Sequence, residues 1–217
     1  MLLELKTFLI YSVLLIAVML VAEIAYRWLK LSSEWTRKIA HVGSGIVALT
    51  YPEFIQSHWI VLALTISFIV ILYASKKMGL FQSIFSVERK SYGEILFVVS
   101  TWLLFLLFKY TGDSNYYMIP FALVVFADPA AALVGKNLPL KKYTIFGNSK
   151  SIGGSLAFFL TGIAIVLGTG LFAEHYLFSI VFVVVLTFVE AVSFKGWDNF
   201  TIPFVAVLMQ YVIFSII

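Results

Sequence analysis

Continuous apolar runs of about 20 residues, broken by short polar segments, recur along the chain and leave it few folds to choose from. They cover approximately Thr7–Tyr26, Trp35–Phe54, His58–Ser75, Tyr92–Tyr110, Tyr116–Gly135, Ile152–Phe172, Tyr176–Val192 and Asn199–Ile217. Runs of this length cross the hydrocarbon of a bilayer as helices. Strands of a membrane barrel would alternate apolar and polar residues, which these do not. The second run is the weakest, because Gly43, Ser44 and Gly45 dilute it and Pro52 ends it. The first is too long for the apolar core of a signal peptide and lacks a small-residue cleavage site, so it reads as a retained span. A composition of 62% hydrophobic and 12% charged residues, with mean hydropathy +1.02, agrees: a soluble domain needs more polar residues to cover its surface. The expectation is one integral-membrane domain over residues 1–217, all-α, a polytopic bundle of about eight spans without internal repeat. With no cysteine, disulfides and thiolate metal sites are excluded.

Basic residues set the orientation. The segments after the first, third, fifth and seventh runs hold Arg27, Lys30, Arg37 and Lys38; Lys76, Lys77, Arg89 and Lys90; Lys136, Lys141, Lys142 and Lys150; and Lys195. Only Lys6 and Lys109 of the 15 basic residues fall on the other side. This asymmetry predicts cytoplasmic odd loops and two extracytoplasmic termini.

Ionisable residues inside apolar spans cost roughly 2.5–3.5 kcal/mol on insertion scales, so those that occur are functional suspects. Asp128 is the deepest, seven residues before Gly135 and so about 10 Å below the end of its span. Pro129 removes a backbone donor and disfavours helix at Asp128, which predicts a broken backbone there. Ala130, Ala131, Ala132 and Gly135 would admit a close neighbour, either a helix or a ligand. A buried Asp–Lys pair would account for Asp128, and so would a carboxylate holding Mg²⁺ beside a phosphate.

The stretch Gly147-Asn-Ser-Lys-Ser-Ile-Gly-Gly-Ser155 offers the Lys150 charge, hydroxyls and glycine amides to an anion at a helix start. The same residues would equally serve to cap a helix through Ser149 or Ser151. No Walker A loop occurs in the chain. Arg37 and His41 lie one turn apart and face the same way. Arg37 and Lys38 suit topological anchoring, and His41 suits either a hydrogen bond inside the bundle or a phosphate. Glu94 follows Glu88-Arg-Lys-Ser-Tyr-Gly at the start of the fourth run. Glu190, Asp198 and Asn199 offer further oxygens, and Asp198 is also a natural cap for the last helix.

On the inferred topology Arg37, His41, Glu94, Asp128, Lys150, Ser151, Glu190, Asp198 and Asn199 come from different spans but meet at one membrane face. The other face offers Glu53, His58, Lys109, Asp113, Glu174 and His175 with no comparable spacing. Mixed carboxylates and cations at one depth suit a metal–polyphosphate ligand. A channel would line the whole path across the bilayer.

In this order, Arg37-Lys38 with His41 and Gly45, Gly93-Glu94, Asp128 with Ala131 and Gly135-Lys136, Lys150-Ser151 with Gly154-Ser155, and Glu190 with Asp198-Asn199 and Pro203 resemble the membrane polyprenol kinase family. That family includes dolichol kinases, phytol kinases and CTP-dependent diacylglycerol kinases. The chain departs from its pattern at Ala127, where many members have Gly, and at Gly153, where many carry Glu. The resemblance implies a CTP-dependent kinase for a lipid alcohol (a polyprenol, a phytol-like isoprenoid alcohol or diacylglycerol), with Mg²⁺ as cofactor and the active site facing the cytoplasm. It further implies catalytic roles for Asp128, Glu94 and Lys150, with Asp128 and Glu94 both candidates for the base. Arg37, Lys38, His41, Lys136, Lys150, Ser151, Ser155 and Asn199 would bind nucleotide or phosphate. Asp128, Glu190 and Asp198 would hold the metal. The expected partners are a nucleoside triphosphate, a membrane lipid alcohol and the membrane itself, with no nucleic acid; oligomeric state is left open. The competing readings are a cytidylyltransferase that makes a CDP-lipid, and a transporter or structural bundle with a polar file reaching the outer face.

Overall fold

The computed structural model describes residues 2–85, 91–145 and 148–216. Glu88, Arg89, Lys90 and Gly147 lie outside the described residues. All eight apolar runs are helical. The first is α1 (Leu2–Arg27). The second is α2 (Ser33–Leu49) continued by the short α3 (Tyr51–Phe54), where Pro52 opens a new turn. The third is α4 (His58–Met78), followed by the single-turn α5 (Gln82–Phe85). Then come α6 (Gly93–Thr111), α7 (Asn115–Ala122) and α8 (Asp128–Asn137). After a hairpin of β1 (Lys142–Ile145) and β2 (Asn148–Ser151), the chain ends in α9 (Ile152–Thr169), α10 (Tyr176–Val192) and α11 (Asp198–Phe214).

Among the described residues, five helical stretches are long and apolar enough to cross a membrane: α1, α4, α6, the continuous Asn115–Asn137 stretch and α9. The apolar α10 and α11 are shorter, at 17 residues each. Large apolar side chains point outward, among them Leu9, Val13 and Leu20 on α1 and Val184 and Phe188 on α10. A surface so apolar requires lipid as its solvent. The helices α4, α6 and α9 each stop on a glycine in the left-handed region, Gly79, Gly112 and Gly170, which leaves their ends clean.

The fifth run departs from expectation. Its backbone is not broken at Asp128, whose φ of −63° and ψ of −48° are helical. Instead Leu123–Ala127 forms a π-helical turn, and the amide of Asp128 reaches back five residues to the Leu123 carbonyl. A wider turn relieves the clash that the ring of Pro129 would make with the carbonyl four residues earlier. The helix therefore runs on, and the carboxylate of Asp128 stays buried in the bundle.

Around this central helix the others form two groups. In the first, α2 packs on α1, α1 on α4, α4 on α6, and α6 and α2 both on α7. In the second, α8 packs on α9, α9 on α10 and α10 on α11, with α11 returning to α6 and α7. The aromatic rings of Phe105, Tyr117 and Phe121 fill the middle.

Candidate active site

Glycines bring the elements close. On α2, Gly45 lies against the side chain of Val125, so α2 seats directly on the π-helical turn. That contact lets His41 Nε2 meet the Val124 carbonyl at 3.1 Å while its ring packs on Phe97, 4.2 Å between centroids. One turn earlier, Lys38 Nζ donates to Asp128 Oδ2 at 2.8 Å. Asp128 is only 7% exposed, so this is a paired charge within the bundle. The Asp–Lys pairing weighed from the sequence exists, and it lines a cavity.

The hairpin was not foreseen. Antiparallel pairing sets Tyr143 opposite Lys150, so both face inward. Tyr143 Oη and Ser155 Oγ share a hydrogen bond of 2.6 Å. Lys150 Nζ donates to Glu190 Oε1, which joins the hairpin to α10. Burial alone would depress the lysine, but Glu190, Asp198 and Asp128 outweigh it and hold its pKa above the ordinary value. Lys150 is therefore charged at every physiological pH.

Of the two readings of the glycine–serine stretch, the cap is realised. Ser151 Oγ accepts from the Gly154 amide at 3.1 Å and donates to the Gly135 carbonyl at 3.4 Å. The Ile152 and Gly153 amides donate to the carbonyls of Lys141 and Pro139. These amides are engaged internally and do not form a free anion nest. The small residues of α8 admit a helix, since Gly135 and Ala131 lie against Gly154 of α9. A Cβ at Gly153 would run into the Leu138 carbonyl, which explains why no glutamate stands there. Replacing Gly153 with Ala is expected to cost about 1–3 kcal/mol through overpacking against that rigid backbone, beyond any helix-propensity gain. Thermal unfolding of the purified variant in detergent measures it.

On the opposite side Arg37 lies 3.7 Å from Glu94 and 3.8 Å from Glu34, which also approaches Lys136 at 3.8 Å. Asn199 Nδ2 donates to the Gly93 carbonyl at 2.8 Å and ties α11 to the start of α6. Its Oδ1 is buried with no hydrogen-bond partner among the described residues. Asp198 accepts from the Asn199 amide at 3.1 Å, and its charge interacts with that of Asp128.

All twelve site residues expected from the sequence line one cavity of about 430 Å³: Arg37, Lys38, His41, Glu94, Asp128, Lys136, Lys150, Ser151, Ser155, Glu190, Asp198 and Asn199. The sequence reading missed Glu34, Lys142, Ser149 and Lys195, which line it too. Glu34 stands three residues before Arg37, and that spacing is the signal that would have found it. Among the described residues, no group of three or more His, Asp or Glu side chains is arranged to hold a metal ion. Of the three carboxylates expected to do so, Glu190 pairs with Lys150 through Oε1 and Asp128 with Lys38 through Oδ2. All three, with Asn199, line the cavity as hard oxygen donors. Such a set fits Mg²⁺, which takes one or two protein carboxylates and completes its shell with phosphates and water.

No family model matches the chain, and no solved structure does. The chain is 30% identical over 203 residues to a phytol kinase of Synechocystis sp., a match covering 90% of this chain and 86% of that protein.

Proposed function

Because the chain belongs to the polyprenol and phytol kinase family, we propose that it is a lipid-alcohol kinase moving the terminal phosphoryl group of CTP to an alcohol hydroxyl at the cytoplasmic face of the membrane. The chain is an integral membrane protein. Eight crossings, with the odd loops cytoplasmic, would agree with the placement of its basic residues. The observation that carries the reading is the single cavity in which lysines, an arginine and carboxylates from α2, α6, α8, β2, α10 and α11 converge. None of Glu53, His58, Lys109, Asp113, Glu174 or His175 lines it, so it offers no polar file to the outer face for a transporter.

Phosphoryl transfer is chiefly positioning and charge stabilisation, and these residues supply both. The nucleotide triphosphate would lie between Lys150 of the hairpin and Arg37, Lys38 and Lys136, whose charges offset the phosphates as negative charge moves toward the leaving group. Asp128 and Asp198 would hold Mg²⁺, which when bound neutralises phosphate oxygens. The oxygen of the alcohol attacks the terminal phosphorus, the bond to the leaving diphosphate breaks, and the hydroxyl proton passes to a carboxylate. Lys38 holds Asp128 at 2.8 Å while Arg37 stands 3.7 Å from Glu94, so the more loosely paired Glu94 is the carboxylate we assign as base. Changing Glu94 to Gln is expected to lower kcat about a hundredfold with little change in KM for the nucleotide, measured by steady-state kinetics.

Purified protein in detergent, incubated with γ-labelled CTP or ATP and lipid alcohols, tests the function. Label recovered on the alcohol, with CDP released, is the expected result. Pyrophosphate release with a cytidylyl group on a lipid would identify a cytidylyltransferase instead, and no nucleotide turnover would reject both.

A further inference from the structure

The cavity does not end at its charged groups. Along α2 the lining residues follow one helical stripe, Arg37, His41, Ser44, Ala48 and, one turn on in α3, Tyr51. On α6 the same pattern runs from Glu94 through Phe97 to Thr101, and on α4 from Leu72 through Phe68 to Leu64. The α2 and α6 stripes begin at charged residues and become apolar with depth, and the α4 stripe is apolar throughout. From His41 to Tyr51 the rise is about 15 Å, so a narrow limb descends from the phosphate end into the bundle.

Its chemistry is that of a hydrocarbon site. The aliphatic hydroxyls along it are engaged by backbone: Ser44 donates to Ala40, Thr65 to Val98 and Thr101 to Phe97. Residues of α1, α2, α4 and α6 line it, with Leu15 and Met19 contributed by α1. Its floor is packed: Tyr51 is 3% exposed and meets Tyr11 and Phe105 edge-on, and Tyr117 holds the Ala48 carbonyl at 2.7 Å. At its top His41, clamped by the Val124 carbonyl and Phe97, marks the change from apolar to charged. The whole cavity, about 430 Å³ shared with the phosphates, is modest for a ligand site.

Resting on the kinase reading above, we propose that this limb holds the single hydrocarbon chain of the alcohol with its hydroxyl at the His41 level, and that Ala48 and Thr101, above the Tyr51 floor, set the chain length accepted. With about 430 Å³ for phosphates and lipid together, a second acyl chain has no room beside the first.

The test compares kcat/KM of wild type, Ala48→Phe and Thr101→Leu on a ten-carbon and a twenty-carbon isoprenoid alcohol and on diacylglycerol, with thermal unfolding as a check on folding. Wild type should phosphorylate the single-chain alcohols and not diacylglycerol. Each variant narrows the limb from a different helix, so one that misfolds leaves the other to decide. A folded variant should lose about tenfold or more on the twenty-carbon alcohol relative to the ten-carbon one, with KM for the nucleotide unchanged. Equal effects on both lengths in folded variants, or efficient phosphorylation of diacylglycerol by wild type, would overturn the chain assignment while leaving the kinase intact. A wild type that phosphorylates no alcohol ends the kinase reading and this one with it.

Discussion

Asp128→Asn is expected to reduce phosphoryl transfer by about a thousandfold or more while the protein remains inserted and folded. Asn retains an oxygen that accepts from Lys38, so the contact between α2 and α8 survives in neutral form. What disappears is the negative charge at the one place where the charged end of the cavity meets its apolar limb. That charge orients Lys38 and, with Asp198, supplies the oxygens suited to a divalent cation. Asn is the informative substitution because Ala would strand the Lys38 ammonium in the bundle and confuse folding with chemistry. Turnover of γ-labelled CTP, measured beside unfolding temperature, separates the two. A rate close to wild type would remove Asp128 from the mechanism.

The second large effect concerns the Lys150–Glu190 pair. Glu190 is 4% exposed, and deleting its carboxylate as Glu190→Ala leaves a buried lysine uncompensated, at a cost of about 3–5 kcal/mol. The double variant Lys150→Met with Glu190→Met removes both charges, and apolar residues of similar volume should restore most of the stability. Activity should stay lost, because the ammonium proposed to meet the phosphates is gone. Unfolding in detergent and kinase assays on the same preparations give the contrast. Stability that stays low in the double variant would mean the pair does more than hold the hairpin. Regained activity would exclude Lys150 from the chemistry. The folded pKa of Lys150 lies above its unfolded value, so the contribution of the pair is complete below the ordinary lysine pKa. It is lost only as pH rises through the higher folded value, and unfolding temperature should not register it between neutral and mildly alkaline pH.

Much of the site was legible because polar residues are rare in these helices. An Asp beside Pro129, a His within an apolar run and a Lys before two glycines stand out against a lipid-compatible background, where each must be justified energetically. Pairing could not be read in the same way. Lys38 reaches Asp128 across 90 residues and Lys150 reaches Glu190 across 40, and no local spacing encodes such distances. Glu190 illustrates the consequence: as a lone acid near a span end it suggested a metal ligand, and only the register of a hairpin shows the lysine set against it. Likewise Gly153 and Gly154 read equally as an anion nest or as a helix start, and only the approach of α8 shows them as packing surfaces with engaged amides.

Local sequence determined the helices themselves, their apolar outer faces and the concentration of charge toward one end, since run length, hydropathy and helical spacing act over a few turns. Tertiary structure decided the rest. The π-helical turn that keeps Asp128 helical, the walls of the apolar limb and the partner of every buried charge all depend on which helices lie side by side. In a bundle of similarly apolar helices, that choice rests on close packing at Gly45, Gly135 and Gly154 and on the few buried ion pairs, interactions that exist only once distant segments have met.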